Sequence, residues 1–571
     1  MKTRCLSENV DVAVIGGGMA GICAAIAAAR HGAKVALIQD RPVLGGNASS
    51  EMRLCIRGTS RDFPEYREGG ILNELGNRNI IQNPTKNYPL WDAVLYGAVK
   101  EEKNICLHLN CACIGAKEHD GEIKEIACRG LYNYTDYTIT ARIFIDCSGD
   151  CILADYVGAE MLCGREAKSE YGESMAPDEA SNLTMGNTCL MQAKERPYAV
   201  KYTAPPFARK VTEEEVARRM KIDDRNAFQF DNFWWLEFGG TRDTIADAEE
   251  IRDECLAAAH GVWDYVKNSG KYDSENWELD FIAVLAGKRE SRRYRGDYVL
   301  TQNDVQNAVP FEDEIAYGGW PLDDHNALGF DAEKATNSYL HLNAPYSIPY
   351  RSTYSRNVKN LMFAGRNISV SHVAYSSTRV MATCASVGQA VGTAAALCVQ
   401  LGESPRELNK HIRMLQNALL CDDCFLLNTR RESGELERKI GDIDNAKSLR
   451  VGEPLEVEFV PRTIKGIRIV FDDDIARQYV PDTKERGKER QFPHRRGNTA
   501  LSDPTLLPPP HLSKEFDVYV KRNGKWKKVY SEENNYKRLV CIACAGEAEG
   551  VRLVIRRTYG DCARIYAFEA I

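Results

Sequence analysis

A glycine-rich turn between a strand-like run and a helix-like run constrains this chain most. The run DVAVIGG leads into GGGMAG, and the stretches MAGICAAIAAARHG and KVALIQD follow it. Gly16, Gly18 and Gly21 have the G-x-G-x-x-G spacing, which permits a tight turn, close approach to a pyrophosphate and close helix–sheet packing. With Met19 and Ala20 at the helix N-terminus, the pattern predicts a βαβ unit that binds a dinucleotide.

The residue at the end of the second predicted strand differs from the usual pattern. An acidic side chain normally accepts hydrogen bonds from the adenosine ribose there. Gln39 occupies this position, and its amide oxygen accepts such a bond without carrying a charge. Asp40 follows on the other side of the strand, so both residues are candidates for the ribose contact.

Length and charge exclude several classes of protein. The chain has 571 residues, more than the roughly 250 to 300 residues that one hydrophobic core serves, so two or three domains are expected. Hydrophobic residues make up 44% and charged residues 27%, which is typical of a globular protein. A net charge of -7 argues against a general nucleic-acid binder, because such affinity comes from Lys and Arg neutralising phosphates.

The apolar runs and the cysteines predict a cytoplasmic protein without a membrane span. No apolar segment precedes the first strand, and the longest apolar run, at about 382–398, is interrupted by Ser, Gln and Gly. Nineteen cysteines without regular spacing suit a reducing compartment. The pairs Cys421/Cys424 and Cys541/Cys544 have no further ligands beside them in the sequence, so no metal site is expected.

Changes in sequence texture predict a mixed α/β chain in three parts. A Rossmann-type domain combines residues 1–163 and 355–425, because the strand NLMFAGR and a long small-residue helix follow a long interruption. The interruption, 164–354, has polar loops, aromatic runs and one amphipathic helix at about 244–268, and predicts an α+β substrate domain. Residues 450–571 contain strand-like runs separated by turns and predict a β-sandwich. The basic, proline-rich stretch 481–510 is interpreted as a solvated loop of that sandwich.

Three separated segments carry a resemblance to a known fold. RPVLGGNASSE resembles the loop that wraps the FAD pyrophosphate in oxidoreductases of the glutathione-reductase-like fold. IDCSGD and NLMFAGRNIS, the latter with the helix after it, carry the same resemblance in the same order. The whole chain resembles a bacterial family of FAD-dependent oxidoreductases, some of whose members are labelled xanthan-lyase-like. Its last part resembles discoidin-type modules.

The resemblance implies a set of FAD contacts and a non-covalent cofactor. No histidine follows the LGG loop, and no second G-x-G-x-x-G unit would bind NAD(P)H, so the electron acceptor stays open. Arg53 and Arg57 either face the flavin or brace the loop. The other implied contacts are Arg41, Gly45, Gly46, Asn47 and Ser49 in the loop, Cys113 at the adenine, Cys147, Ser148 and Gly149 over the adenosine, Gly365, Arg366 and Asn367 along the pyrophosphate and ribityl chain, and the helix opening at Ser377, Thr378 and Met381.

Three groups are candidates for chemistry on the substrate. His372, just before the flavin-directed helix, is either a general base or a residue that holds its loop. Arg289, Glu290, Arg292 and Arg293 either bind substrate or form a salt-bridged cluster. The tryptophans Trp234, Trp235 and Trp320 either wall a pocket or belong to the core.

These residues predict an FAD-dependent oxidoreductase. In the leading hypothesis a hydride passes between flavin N5 and a small polar substrate, such as an alcohol, a sugar-like compound or an amine. Two alternatives remain: a flavin-dependent lyase or isomerase with no net redox change, and a carbohydrate-binding protein with a vestigial flavin domain. Product analysis separates the oxidoreductase from the lyase or isomerase. The absence of copurified flavin would favour the carbohydrate-binding protein.

Overall fold

The computed structural model describes residues 4–63, 66–220, 230, 233–335, 337–431, 447–473, 499–503 and 505–571. The helices within these ranges are α1 (Met19–Arg30), α2 (Gly70–Gln82), α3 (Tyr88–Lys100), α4 (Ala154–Val157), α5 (Lys168–Tyr171), α6 (Glu213–Ala217), α7 (Ala248–Asn268), α8 (Gln302–Gln306), α9 (His372–Thr378), α10 (Met381–Leu401), α11 (Pro405–Leu408) and α12 (Ile412–Cys421).

The strands before the C-terminal region are β1 (Arg4–Asn9), β2 (Val12–Ile15), β3 (Val35–Ile38), β4 (Ile105–His108), β5 (Cys111–His119), β6 (Glu122–Gly130), β7 (Thr135–Thr140), β8 (Ile143–Asp146), β9 (Met161–Cys163), β10 (Asn187–Thr188), β11 (Met191–Glu195), β12 (Glu237–Phe238), β13 (Trp277–Ile282), β14 (Gly287–Lys288), β15 (Arg292–Tyr294), β16 (Glu314–Gly318), β17 (Leu322–His325), β18 (Asn337–Leu340), β19 (Tyr346–Pro349) and β20 (Leu361–Phe363). The C-terminal strands are β21 (Lys447–Leu449), β22 (Pro454–Phe471), β23 (Ser513–Arg522), β24 (Lys525–Glu532), β25 (Leu539–Thr558) and β26 (Ala563–Ala570).

A parallel five-stranded sheet organises the nucleotide-binding region. Its order is β20-β8-β2-β3-β4, and every neighbouring pair is parallel. Strands β2, β3 and β8 are buried along their whole length, as expected for strands covered on both faces. The chain extends the sheet on one side of β2 and later on the other side. The carboxyl end of β2 is therefore a topological switch point, where ligands bind in folds of this kind.

Helix α10 packs very closely on α1. A β-carbon added at Gly388 would lie 2.2 Å from the carbonyl oxygen of Ala20, and one at Gly392 would lie 2.1 Å from that of Ala24. The small residues of α10 are thus required for backbone-to-backbone approach. Among the described helices, α10 alone is long and apolar enough to cross a membrane, and 89% of its apolar window is buried inside the fold.

The middle of the chain divides between two cores. Helix α7, which starts a few residues later than predicted, packs with aromatic residues of 230–283 in a core of its own. Tyr294, Leu300 and Ile348, by contrast, belong to the core of the parallel sheet. The structure thus joins part of the predicted substrate domain to the nucleotide-binding core. The domain limits proposed from the sequence remain a prediction.

The C-terminal region is all-β, as predicted, but its described strands form one hydrogen-bonded sheet. The order is β21-β26-β22-β25-β23-β24. Runs expected to be separate strands are joined in β22 and β25, which pair with each other across two bulges. Of the basic stretch 481–510, residues 481–498 and 504 lie outside the described ranges. The sheet contacts the nucleotide-binding region through Asp473, whose carboxylate accepts hydrogen bonds from Asn73 and Asn77 at 2.6 Å each.

Candidate active site

A cavity of about 810 Å³ lies at the carboxyl ends of β2, β3, β8 and β20. It contains most of the residues that the sequence singled out. The predicted residues that line it are Gly16, Gly18, Met19, Ala20, Gln39, Asp40, Arg41, Gly45, Gly46, Asn47, Arg57, Cys113, Cys147, Ser148, Gly149, Trp234, Arg289, Trp320, Gly365, Arg366 and Met381.

The three glycines of the first turn are needed for three different reasons. Gly16 has φ +104°, and a β-carbon there would lie 2.5 Å from the carbonyl oxygen of Cys147. A β-carbon at Gly21 would lie 1.8 Å from the carbonyl oxygen of Gly16. Gly18 has an ordinary φ of -70°, and a β-carbon there would meet nothing within 4 Å. Backbone geometry therefore does not require glycine at 18, whereas a ligand that occupies the open space beside it would.

The N-terminus of α1 adds hydrogen-bond donors to this space. Gly18 is the N-cap, and no side chain caps the helix. The first amide groups of α1 therefore remain available to an anion, and the helix dipole favours negative charge at the same place.

The LGG loop packs directly against the first turn. The amide of Gly45 donates to the carbonyl oxygen of Gly17 at 2.8 Å, and a β-carbon at Gly46 would lie 3.1 Å from the Cα of Gly18. Both Gly45 and Gly46 have positive φ angles. The two glycine loops thus lie together along the cavity, at the site predicted for the pyrophosphate.

The structure assigns Gln39 a different contact from the one predicted. Its amide oxygen accepts a hydrogen bond from the backbone of Gly17 at 2.7 Å, and its side chain is buried. Asp40 also lines the cavity, and its carboxyl group is largely exposed. Gln39 therefore holds the glycine turn, and Asp40 is the carboxylate available to a ribose hydroxyl.

A buried charge network forms another part of the wall. Asp150 pairs with Arg366 at 2.6 Å and with Lys288 at 2.7 Å, and Ser291 donates to it at 2.7 Å. Burial opposes ionisation of Asp150, but Arg366 and Lys288 hold its pKa well below the usual range. The side-chain amide of Asn47 donates to the backbone oxygen of Lys288 at 3.1 Å, which ties the LGG loop to this network.

Several predicted residues lie behind the cavity wall. Arg53, with φ 53°, lies over the rings of Tyr88 and Phe281 at 5.0 and 3.9 Å, which favours the bracing role. Ser377 donates to the backbone of Trp320, and α10 begins at Met381, after the short helix α9. The predicted residues outside the cavity lining are Gly21, Ser49, Arg53, Trp235, Glu290, Arg292, Arg293, Asn367, His372, Ser377 and Thr378.

Next to the start of α10 the cavity wall becomes aromatic and cationic. The guanidinium of Arg61 lies 4.5 Å from the ring centroid of Trp320 and 5.1 Å from that of Tyr339. The backbone of Arg57 accepts a hydrogen bond from Ala382, in the first turn of α10. We call this part of the cavity the arginine–tryptophan compartment; its members are Arg57, Arg61, Trp320, Asp323, His325, Tyr339 and Arg379.

A histidine held by a carboxylate belongs to this compartment. His325 Nδ1 lies 2.7 Å from Glu237, and Nε2 lies 3.4 Å from Asp323. Burial alone would raise the pKa of Glu237, but Arg289 and His325 lower it, so the carboxylate is ionised. Arg289 also donates to the backbone of Trp234 at 2.8 Å, so this predicted substrate ligand positions the wall and Glu237.

His372 lies outside the cavity lining, in a sealed ion cluster. Its Nδ1 lies 2.9 Å from Glu290 and its Nε2 lies 3.0 Å from Asp324. Arg293 pairs with Glu290 at 2.5 Å and with Glu166 at 2.7 Å. Burial lowers the pKa of His372, but Glu290 and Asp324 outweigh it and raise the pKa to about 9. An imidazolium with both nitrogens engaged cannot accept a proton, so this geometry favours the alternative, structural role for His372 and for the Glu290–Arg293 pair.

Sequence reasoning missed five residues of the compartment, one of which is Arg61, four residues after Arg57. Asp323 and His325 follow Trp320 in the segment WPLDDHN, Tyr339 lies on the neighbouring strand β18, and Arg379 comes from a distant part of the chain. The period of β17 was the available signal, because residues 323 and 325 of a strand share one face while residue 324 points to the other.

One group of three possible metal ligands occurs within the described ranges. Glu8, Cys106 and His108 lie on the edge strands β1 and β4, away from the cavity lining. His108 Nε2 already contacts Glu8 at 2.8 Å.

A parallel sheet with a glycine turn, an uncapped helix N-terminus and an open phosphate cradle defines a dinucleotide-binding protein. The chain belongs to the family described as FAD dependent oxidoreductase, which matches residues 11–419. The predicted family and FAD cofactor are confirmed, and Gly18, the uncapped α1 and the LGG loop fit this cofactor.

Individual similarities are short or distant. A stretch of 41 residues is 58% identical to the fumarate reductase (cytochrome) of Shewanella frigidimarina, and it spans 7% of this chain and only 7% of that relative. A flavocytochrome c3 fumarate reductase in its open conformation shares 12% identity, covering 69% of this chain and 79% of that one with a TM-score of 0.29.

A myxobacterial chondrochloren halogenase, described as a variant of FAD-dependent halogenases, shares 11% identity, covering 72% and 80% of the two chains with a TM-score of 0.32. A geranylgeranyl bacteriochlorophyll reductase-like protein from Thermoplasma acidophilum shares 13% identity, covering 73% and 87% with a TM-score of 0.28. Scores this low carry no argument about the substrate.

Proposed function

We propose that the protein transfers a hydride between flavin N5 and a small polar substrate, such as an alcohol, a sugar-like compound or an amine. One observation carries this proposal: the arginine–tryptophan compartment opens into the same cavity as the phosphate cradle, beside the start of α10. FAD bound in the cradle supplies the hydride acceptor or donor. The chain's own residues must bind the substrate, orient it and move a proton.

The N-terminus of α10 suits the flavin end of this arrangement. Val380 and Met381 line the cavity, and α10 starts at Met381 without a side-chain cap. A positive helix end stabilises negative charge on the pyrimidine edge of a flavin. The expected contact at Met381 is consistent with this placement, and the chemistry would occur at the adjoining compartment.

His325 is the proposed proton-transfer residue. If Nδ1 donates its proton to Glu237, the neutral ring presents Nε2 as an acceptor for a substrate O–H or N–H proton. A carboxylate that orients a histidine is a recurring arrangement in general base catalysis. Although only 3% of His325 is exposed, the residue lines the cavity. Water is therefore largely excluded around it.

The walls of the compartment restrict what can enter. Trp320 and Tyr339 offer flat apolar surfaces, and Trp234 lies 5.7 Å from the His325 ring in an edge contact. Polar groups stand between these surfaces, which is the composition expected for a site that orients a small polar molecule.

The test is anaerobic mixing of the purified holoenzyme with alcohols, sugars, hydroxy acids and amines while the flavin absorbance is followed. Bleaching by one member, with an oxidised product identified by mass spectrometry, supports hydride transfer. A substrate that is converted without net oxidation, in the absence of any acceptor, would instead support the lyase or isomerase alternative. A protein that purifies without flavin would contradict the proposal altogether.

A further inference from the structure

The cationic side chains of the cavity are not equally neutralised. Lys288 and Arg366 share Asp150, and Arg252 contacts Glu249 at 2.6 Å. In each of these groups the positive and negative charges compensate each other within the wall. Two arginines of the arginine–tryptophan compartment, Arg61 and Arg379, have weaker compensation.

Arg379 has a buried donor without an acceptor. Its terminal nitrogen donates to the backbone and the carboxylate of Asp323 at 3.1 and 3.3 Å. Its Nε is buried and has no hydrogen-bond partner in the part of the chain that the structure describes. An unsatisfied buried donor on a charged group is costly, and native structures usually satisfy it with a protein group, water or ligand.

Asp323 has little capacity left to satisfy the arginines. Its oxygens already accept from Trp320 Nε1 at 3.3 Å, from Asn337 at 2.7 Å and from Arg379, and His325 Nε2 lies 3.4 Å away. Burial opposes its ionisation, but His325 and Arg379 hold its pKa well below the usual range. Asp323 is the only carboxylate in the lining of the compartment within the described ranges.

Arg61 lies against two aromatic rings. Trp320 and Tyr339 lie 4.5 and 5.1 Å from its guanidinium, and the neighbouring Asp62 lies 3.5 Å away while it also contacts His341 at 2.9 Å. A guanidinium covered on its face by an aromatic ring keeps its in-plane N–H groups for other partners. Such a fork matches the two oxygens of a carboxylate.

We infer that the substrate carries a carboxylate group, which Arg61 and Arg379 bind in the arginine–tryptophan compartment. This inference rests on the proposed function, since it concerns the same site. It deepens that proposal by separating acidic substrates, such as hydroxy acids and sugar acids, from neutral alcohols and sugars. The bound carboxylate would also supply the missing acceptor for Arg379 Nε.

Binding of matched probes to the holoenzyme tests the inference without any need for turnover. Flavin difference spectra and calorimetry would compare D-glucuronate with D-glucose and D-glucose 6-phosphate, and glycolate with ethylene glycol, at constant ionic strength. The carboxylates are expected to bind at least about 10-fold tighter than their neutral counterparts, because a hydrogen bond to a charged group is stronger than one between neutral groups.

Variants locate the effect. Arg61→Gln and Arg379→Gln should each weaken carboxylate binding about 10- to 100-fold and leave neutral probes unchanged. Arg129→Gln is the matched control, because Arg129 is exposed on β6 and pairs with Asp136 outside the cavity. Flavin content and circular dichroism confirm that each variant folds. If Arg379→Gln does not fold, Arg379→Lys replaces it in the test and should keep part of the preference for carboxylates over neutral probes.

Each outcome decides the inference. Equal binding of neutral and acidic probes, tighter binding of the phosphate ester, or no carboxylate binding up to about 50 mM would overturn it. Flavin reduction by a neutral sugar would overturn it while the hydride-transfer proposal stands. If a carboxylate binds through both arginines but no compound of the panel reduces the flavin, the binding inference stands. The same result counts against hydride transfer.

Discussion

Each face of strand β17 contributes an aspartate that lies near a histidine, but the surroundings of the two pairs differ. On one face, Asp323 and His325 line the cavity with Glu237 behind the histidine. On the other face, Asp324 contacts His372 in the sealed ion cluster with Glu290. Both histidines are nearly inaccessible and both have two carboxylate neighbours. Only His325 adjoins a space that a substrate can enter.

The difference shows that proximity to the cofactor strand is a weak guide to chemistry. His372 follows the β20 strand closely in sequence, yet its two nitrogens are committed at 2.9 and 3.0 Å. In His325 the contact of Nε2 with Asp323 is longer, at 3.4 Å. A group that transfers protons must be able to contact the substrate. A group that joins two parts of a fold is instead most stable when all its hydrogen-bonding atoms have partners within the protein.

The comparison of His325 with His372 assumes that the flavin binds in the cavity. Gly18→Val tests this assumption and should have the largest effect of the variants in this comparison. The side chain would occupy the open cradle beside Gly18 and should abolish FAD binding, measured as flavin released on acid precipitation. Gly115→Val is the control, since its β-carbon would meet only Ala127 at 3.8 Å. Full flavin content in Gly18→Val would show that the cradle lies elsewhere.

His325→Gln should remove proton transfer and leave the sealed cluster intact. We expect flavin reduction to slow by about 10²- to 10⁴-fold with FAD content unchanged, the usual contribution of a positioned acid or base. Stopped-flow absorbance with a reducing substrate measures this rate. His119→Gln, at an exposed site, is the control. A wild-type rate in His325→Gln would remove the functional distinction between the two faces.

His372→Ala should have the opposite profile. Removing one member of a buried ion cluster leaves Glu290 and Asp324 without a counter-charge, so the free energy of unfolding should fall by about 3 to 5 kcal/mol. Urea unfolding followed by tryptophan fluorescence measures the loss. Below the unfolding transition, flavin reduction should stay within a few-fold of wild type. A stable variant with a severely reduced rate would return His372 to the chemistry.

The pH dependence of stability gives the smallest and most specific effect. His372 has a pKa raised from 6.5 to about 9 in the folded protein, so its stabilising contribution is complete below about pH 6.5 and is lost as pH rises through 9. The shift corresponds to about 3 kcal/mol. Unfolding at a series of pH values should show this decline in wild type and its absence in His372→Gln. Identical profiles would mean that His372 is neutral when folded.

Local patterns predicted the nucleotide-binding region well. The GGGMAG turn, the LGG loop and the helix after NLMFAGR all reach the cavity. Short-range rules suffice there because each glycine is required by its own turn or by an adjacent element. Gln39 was less predictable, because its bond to Gly17 depends on how the side chain folds back over the turn.

For the C-terminal region the sequence predicted the strand type correctly but not the number of strands. Alternating apolar residues indicate strands whatever their pairing, and the region is all-β. The joining of runs into β22 and β25 depends on bulges that keep two long strands paired. A bulge is a property of a pair, which one strand's pattern does not contain.

By itself the sequence determined the mixed α/β fold class, the FAD cofactor and the absence of a histidine in the loop after LGG. These follow from glycines, apolar periods and their order along the chain. Only the tertiary structure decided which histidine adjoins the cavity and which arginines share a compartment. Arg61, His325 and Arg379 come from three distant segments, and their roles depend on what surrounds them, because burial and neighbouring charge set both proton affinity and access.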